Sequence, residues 1–253
     1  QIDKLDMICK RLRLQPGDRL FDVGCGWGGL ACHAAQKYGA EVFGVTLSQA
    51  QFDYAQAKIK RLGLEDKITI ELRDYRTVDE PGRFDKIAQI EMFEHVGFDN
   101  HDKHFQQMYK LLRSRGLYLH QASTRMATPD IASFRKKTAY QDVITRFIFP
   151  GGELDYIGLT LTNLERHRFE VHDVECWRQH FQKTLVHWAN RLWENREKGR
   201  AEIGWPKMRL WLAYFSLFAV AFDRNTVSVF QTLASKRRTG PSHLPLTRED
   251  LYE

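Results

Sequence analysis

Cysteine is scarce and long apolar runs are missing, and each shortage narrows the setting. The four cysteines, Cys9, Cys25, Cys32 and Cys176, show no CxxC spacing and fall far short of a disulfide framework, so a reducing, cytoplasmic compartment is expected. The longest near-continuous apolar stretch, residues 210–222, covers 13 positions. A membrane-spanning helix needs ~20, so this one is expected to be buried. No repeat or low-complexity tract occurs, and hydrophobic and charged contents of 43% and 28% exclude collagen-like, disordered and coiled-coil chains. P-loop spacing, zinc-finger spacing and a Ser–His–Asp order are absent too. His101 and His104 stand at i, i+3 with no third ligand nearby in sequence, so no metal site is expected. The 253 residues suit one large domain. Residues 1–12 already read as a helix feeding a strand, so the chain is expected to start inside a longer protein.

The chain does carry charge, unevenly placed. Residues 178–253 hold 13 Lys and Arg against 7 Asp and Glu, which accounts for the whole net charge of +6. An anionic partner follows, whether phospholipid headgroups or nucleic acid, unless the run is a solvated face. Trp177, Trp188, Trp193, Trp205 and Trp211 crowd the same segment; most should pack in the core, although Trp beside Lys and Arg is also how proteins rest on a bilayer.

Apolar, β-branched runs at residues 19–25, 41–46, 67–72, 84–90 and 116–122 alternate with stretches of helical spacing such as Phe52, Ala55, Ile59 and Leu62. That rhythm predicts a parallel sheet with helices on both faces. Gly39, Gly63 and Gly116 stand where helices should stop, and Pro16-Gly17 marks a turn before the first strand. Residues 123–158 break the pattern and are expected to form an inserted lid. A helix at 159–167, a strand at 169–175, helices within 178–222 as a cap, and a strand at 226–233 complete a seven-strand Rossmann-like α/β domain spanning 1–253.

The strongest local signal is FDVGCGWGG at 21–29, a strand running into a glycine-rich turn and a helix. Gly24 and Gly26 permit positive φ and close backbone approach, and the helix start offers free N–H groups. The GxGxGG spacing is that of S-adenosylmethionine enzymes rather than of dinucleotide enzymes. Asp22 can fix the turn or a ligand amino group. Cys25, at a helix start, could have a depressed thiol pKa, though packing is its expected role. The second strand ends in Thr46, Leu47, Ser48 and Gln51, neutral groups where an acid usually meets ribose hydroxyls; Ser48 also suits a plain N-cap. Asp74-Tyr75 follows the third strand, where a carboxylate can accept from an adenine amino group and a ring can stack. Glu91, Glu94 and His95 follow the fourth, with Glu91 expected in solvent and Glu94 in a buried site.

In combination these motifs resemble the cyclopropane-fatty-acyl-phospholipid synthases and mycolic acid cyclopropane synthases. DVGCGWG at 22–28, GVTLSQAQ at 44–51, FEHVG at 93–97, LHQAS at 119–123, IFPGG at 148–152 and HFQKTL at 180–185 occur in the family's order, across essentially the whole chain. The resemblance implies S-adenosylmethionine over Gly24 and Gly26, with Asp22 at the turn, Thr46, Leu47 and Gln51 around its ribose and Asp74 and Tyr75 near its adenine. It implies a bicarbonate held by Glu94, His120 and the backbone near Ala122. An alkene that attacks the sulfonium methyl becomes a carbocation, and a small anion in a dry pocket can remove its proton. Glu94, facing an anion, should carry a raised pKa and donate a hydrogen bond. The implied partner is an unsaturated fatty acyl phospholipid, reached by peripheral contact with an anionic membrane through the basic cluster at 236–238; nucleic acid is not implied, and a homodimer is compatible.

Two departures qualify the resemblance. The family's Tyr-Ser-Cys motif precedes the first strand and has no counterpart here. Phe181 stands where the family places a tyrosine hydroxyl on the anion, and a lost buried donor costs about 1–3 kcal/mol. The cation could then be quenched by proton loss elsewhere, giving a methylene or methyl branch instead of a cyclopropane. The remaining alternatives are an N- or C-methyltransferase for a small soluble acceptor and a non-catalytic lipid-binding homologue.

Overall fold

The computed structural model describes residues 1–252. Helix α1 (Ile2–Arg11) leads into β1 (Arg19–Val23), α2 (Gly29–Tyr38), β2 (Glu41–Thr46), α3 (Gln49–Leu62), β3 (Ile68–Leu72), β4 (Phe84–Ile90), α4 (His101–Leu111) and β5 (Leu112–Arg125). Then come α5 (Ile131–Arg135), α6 (Ala139–Phe147), α7 (Ile157–Arg166), β6 (Phe169–Cys176), α8 (Arg178–Glu194), α9 (Arg196–Ile203), α10 (Trp205–Asp223) and β7 (Val227–Lys236). The seven strands form one sheet in the order β3-β2-β1-β4-β5-β7-β6.

The sheet is mixed rather than parallel: β7 runs antiparallel to both β5 and β6. Almost every residue of β7 is buried, so the strand reads as a continuous apolar run whichever way it points. Direction is therefore set by the α10 connection and not by any pattern in the strand.

Two layers of side chains clamp the sheet. On one face Leu20, Val42, Ile68 and Leu119 pack under α1, α2 and α3. On the other, Phe21 and Phe84 stack with ring centroids 4.8 Å apart and Phe43 joins them, beneath Phe105 and Met108 of α4 and Leu164 of α7. A third cluster, with Leu185, Phe218, Phe222 and Val229, lies where α8 and α10 cover β7. No helix among the described residues is long and apolar enough to cross a membrane.

Gly39 and Gly63 close α2 and α3 in left-handed conformation, as expected. Gly116 does not: it lies inside β5, where the pairing with β4 shifts. The segment expected to be irregular from residue 123 keeps pairing with β7 through Arg125. Beyond it the polar run is locally helical, because Asp130 caps α5 and Thr138 with Gln141 forms a capping box on α6.

Candidate active site

The glycine turn separates two duties. A Cβ on Gly24, at φ +74°, would sit 2.8 Å from Met92 Cγ, so this glycine is needed for packing. Gly26, at φ +55°, has nothing within 4 Å of the same point, and Trp27 beside it is exposed. The turn thus leaves open space directly before the unpaired N–H groups of α2. Asp22 is buried under it with Oδ2 unpartnered, and burial pushes its carboxyl up to about 7. Cys25 is a packing residue: burial, with Asp22 close by, pushes its thiol up, contrary to the depressed value a helix start could give.

At the end of β2, Thr46 Oγ1 donates to Gln51 Oε1 at 2.7 Å, and Ser48 Oγ accepts from the Gln51 N–H as the N-cap of α3. Leu47 is 76% exposed, an apolar side chain presented at the strand's carboxyl end. Asp74 is less free than its position suggested. Its carboxylate accepts from the Arg76 backbone and guanidinium, which hold it below the usual range, while the Tyr75 hydroxyl turns inward to His104 Nδ1 at 3.1 Å.

The end of β4 differs from the expectation at one residue. Glu91 is not a solvated side chain: it stands at φ +55°, and its Oε1 accepts from Gln121 Nε2 at 3.2 Å. Gln121 Oε1 in turn accepts from Gln231 Nε2 at 2.7 Å, and Gln231 Oε1 from buried Arg11 at 3.1 Å. This polar row crosses the sheet and fixes Glu91 in place. Glu94 Oε1 accepts the Ser123 N–H at 2.6 Å, and Oε2 is buried without a partner. Burial first, and the Glu91 charge second, push the Glu94 carboxyl up to about 8. Glu94 is therefore mostly protonated at neutral pH, with a proton on Oε2 free to be donated.

His120 completes a different network. The Tyr118 hydroxyl lies 3.1 Å from Gln89 Oε1, from His104 Nε2 and from His120 Nδ1. A hydroxyl donates once and accepts twice. Gln89 turns its amide nitrogen toward Gln121 O, so its oxygen must be the acceptor. His104 and His120 are then both donors to Tyr118, and His104 Nδ1 accepts from Tyr75. Burial holds the His120 imidazole at about 3, hence neutral, so its Nε2 carries a lone pair and has no partner. The ring packs edge-on against Phe93 at 4.8 Å and does not line the main cavity, whereas Glu94 does.

That cavity, about 650 Å³, opens from the Glu91 and Glu94 carboxyls between residues 125–154 and helices α8 and α10. Its wall is aromatic: Phe149, Phe181, Trp188, Trp211, Tyr214 and Phe218. Phe181 faces it from α8, 5.8 Å from the Phe222 ring. Tyr214 was not anticipated; burial and the nearby charge of Glu91 push its phenol up. Its signal is the stripe Trp211, Tyr214, Phe215, Phe218 and Phe222 on α10, which reads simply as core. His95 is exposed at the same wall, and His101 stacks on Phe93 at 4.4 Å.

The basic cluster at 236–238 lies at the other end of the sheet and is partly consumed there. Lys236 Nζ donates to Tyr109 O at 2.7 Å and Leu112 O at 2.9 Å, and Arg237 donates to Phe169 O.

Comparison with known proteins agrees with this architecture. A family model described as mycolic acid cyclopropane synthetase matches residues 1–232. The chain is 39% identical over its full length to a probable fatty acid methyltransferase of Pseudomonas putida, covering 64% of that protein. It is 37% identical over 97% of its length to a probable fatty acid methyltransferase of Mycobacterium tuberculosis, covering 56% of that one. The chain spans between 43% and 64% of the length of such curated relatives. Among solved structures, mycolic acid cyclopropane synthase CmaA1 complexed with SAH and CTAB superposes with a TM-score of 0.85 at 29% identity, over 93% of this chain and 84% of that one. This chain belongs to the mycolic acid cyclopropane synthetase family.

Proposed function

We propose that the protein transfers a methyl group from S-adenosylmethionine to the double bond of an unsaturated fatty acyl chain carried by a phospholipid. The observation that carries this reading is the aromatic cavity of about 650 Å³ ending on the Glu91 and Glu94 carboxyls at the carboxyl end of β4, with the Glu94 carboxyl pushed up to about 8. A small amine or soluble acceptor would be poorly served by such a wall, while an acyl chain would fill it. The residues at the β1 turn fit the cofactor: open space over Gly26, an unpartnered Asp22 suited to an ammonium, and exposed Leu47 beside Gln51. A relative of this family was crystallised with SAH. When bound, the cofactor supplies an electrophilic methyl on a sulfonium.

The chain's own residues then act on the acceptor. The aromatic wall aligns the alkene, excludes water and lowers the cost of positive charge passing along the chain. The orphan Oε2–H of Glu94 offers a donor to a small oxyanion such as bicarbonate at the cavity wall, and the orphan Nε2 lone pair of His120, set behind that wall, suits an anion that reaches it with a hydrogen of its own. An anion with no hydrogen to give leaves His120 unsatisfied. Phe181 adds no hydroxyl, which favours a looser anion and a share of methylene-branched product beside the cyclopropane.

Access is from a membrane surface. Met126 and Phe147 are 63% and 56% exposed, the first on the cavity wall and the second at the end of α6, with Leu217 and Val220 on the outer stripe of α10. Lys136, Lys137 and Arg146 lie among them with no carboxylate within ion-pair distance among the described residues. An anionic bilayer suits this mixture of apolar and cationic groups. The test is label from the cofactor methyl: it should enter the organic extract of anionic vesicles containing unsaturated acyl chains. Label confined to the aqueous phase with a soluble acceptor would replace this reading by the second enzyme class.

A further inference from the structure

A second cavity, about 340 Å³, opens at the amino ends of β4 and β5, and four cations line it without a carboxylate: Arg13, Lys86, Arg113 and Arg115, beside Ser242 and His243. An irregularity in the sheet builds it. Strands β4 and β5 pair Phe84 with Leu112 and next Lys86 with Leu117, so residues 113–116 bulge out opposite Asp85. Gly116 permits the bulge, since a Cβ there would lie 2.8 Å from Asp85 O.

The cations are incompletely neutralised. Arg13 pairs with Asp250 at 2.8 Å and Arg113 with Asp85 at 2.5 Å. Buried Lys86 has one ion pair, to Asp18 at 3.9 Å, and burial holds its ammonium below the usual range, with Arg113 and Arg13 adding to the effect and Asp18 and Asp85 opposing it. Arg115 has no ion pair among the described residues, and its buried Nε has no hydrogen-bond partner. Arg115 and His243 both hold positive φ, +62° and +63°, so two strained residues meet at one wall.

We propose that this cavity binds a phosphate group, carried by a soluble phosphate ester. Guanidinium forks and an ammonium converging on one cleft match the tetrahedral oxygens of a dianion. A lipid whose acyl chain fills the main cavity cannot supply the phosphate, because the length of β4 puts ~20 Å between the two ends of the sheet. The inference is independent of the methyl-transfer reading.

The test is calorimetric titration of inorganic phosphate into the protein in low-salt chloride buffer. One saturable site is expected. Arg115→Gly should abolish it without lowering Tm, since glycine accepts the left-handed backbone, and Lys86→Met should weaken it at least tenfold. Absence of a saturable site, undiminished binding in both variants, or displacement by chloride at equal concentration would overturn the proposal. Phosphatidylglycerol vesicles should not displace phosphate from the wild-type protein; displacement by them, with neutral phosphatidylcholine vesicles inert, would overturn the soluble source and assign the site to a lipid headgroup.

Discussion

At the carboxyl ends of β1 and β4, buried Asp22 and half-buried Glu94 each keep one buried oxygen unpartnered, and burial pushes them up to about 7 and about 8. At the amino ends of β4 and β5, half-buried Arg13 and exposed Arg113 stand beside acids that neutralise them, and half-buried Arg115 has none. The difference follows from chemistry. A carboxyl can escape the cost of burial by taking a proton near neutral pH, whereas a guanidinium cannot lose one and must be paired, hydrated or liganded. One end of the sheet is thereby suited to proton handling next to an apolar cavity, and the other to holding anions.

The comparison breaks most visibly at the glycine turn. Gly26→Val should lower S-adenosylmethionine affinity at least 100-fold in calorimetry and cost only about 1–2 kcal/mol of stability from its left-handed backbone. Gly24→Ala should show the reverse balance, because its Cβ meets Met92.

The next effect in size concerns the proton on Glu94. Glu94→Ala should reduce turnover on the order of 100-fold, as expected for a lost hydrogen-bond donor to the anion, with cofactor affinity unchanged. Wild-type turnover should fall as pH rises through about 8, where Glu94 ionises. Glu94→Gln keeps an acceptor for the Ser123 N–H and a donor toward the orphan position, so it should retain much of the activity and lose that alkaline fall. Stability has the same sign. The folded state holds this proton up to about pH 8 and the unfolded chain releases it near 4.5, so wild-type stability declines across that interval. The stability advantage of Glu94→Gln should grow from pH 5 to pH 9 by at most about 4 kcal/mol, read as a widening gap in Tm between variant and wild type.

Smaller changes sharpen the account. Tyr118→Phe strands Gln89 Oε1 and removes the acceptor for both histidines, at about 1–3 kcal/mol. It should also release His120 from a single tautomer, visible as a shift in its ¹⁵N resonances. Phe181→Tyr should raise the cyclopropane share of the product a few-fold, a change of about 1 kcal/mol, measured by lipid mass spectrometry. Smallest is charge reversal at Lys136 and Lys137, worth about 1 kcal/mol each in binding to anionic vesicles and reduced by salt. The same change at Lys236 should act on stability instead, since its ammonium is held by two carbonyls.

Much of the fold was legible in the sequence because alternation and caps are local. Ser48, Gly39 and Gly63 do in the structure what their residue types suggest. The direction of β7 was not legible, since a strand buried on both faces carries no polarity in its pattern. Nor was the bulge that turns Gly116 from a helix stop into part of β5, which depends on pairing with a strand 26 or more residues earlier. In the site, Glu94 could be singled out by its place after the fourth strand. The burial of Glu91 could not, because it rests on Gln121, Gln231 and Arg11, which come from three separate elements. Tyr214 was hidden for a simpler reason: one phenol in a stripe of aromatics looks like packing until the stripe is seen to border carboxyls.

The most direct measurement is mass spectrometry of phospholipids from cells expressing the protein, compared with cells expressing the Gly26→Val variant. Acyl chains that were monounsaturated should gain one methylene unit, located by fragmentation at the former double bond as a ring or a branch, and the variant should show none. An unchanged acyl profile in cells where the protein is folded and binds S-adenosylmethionine would contradict the account.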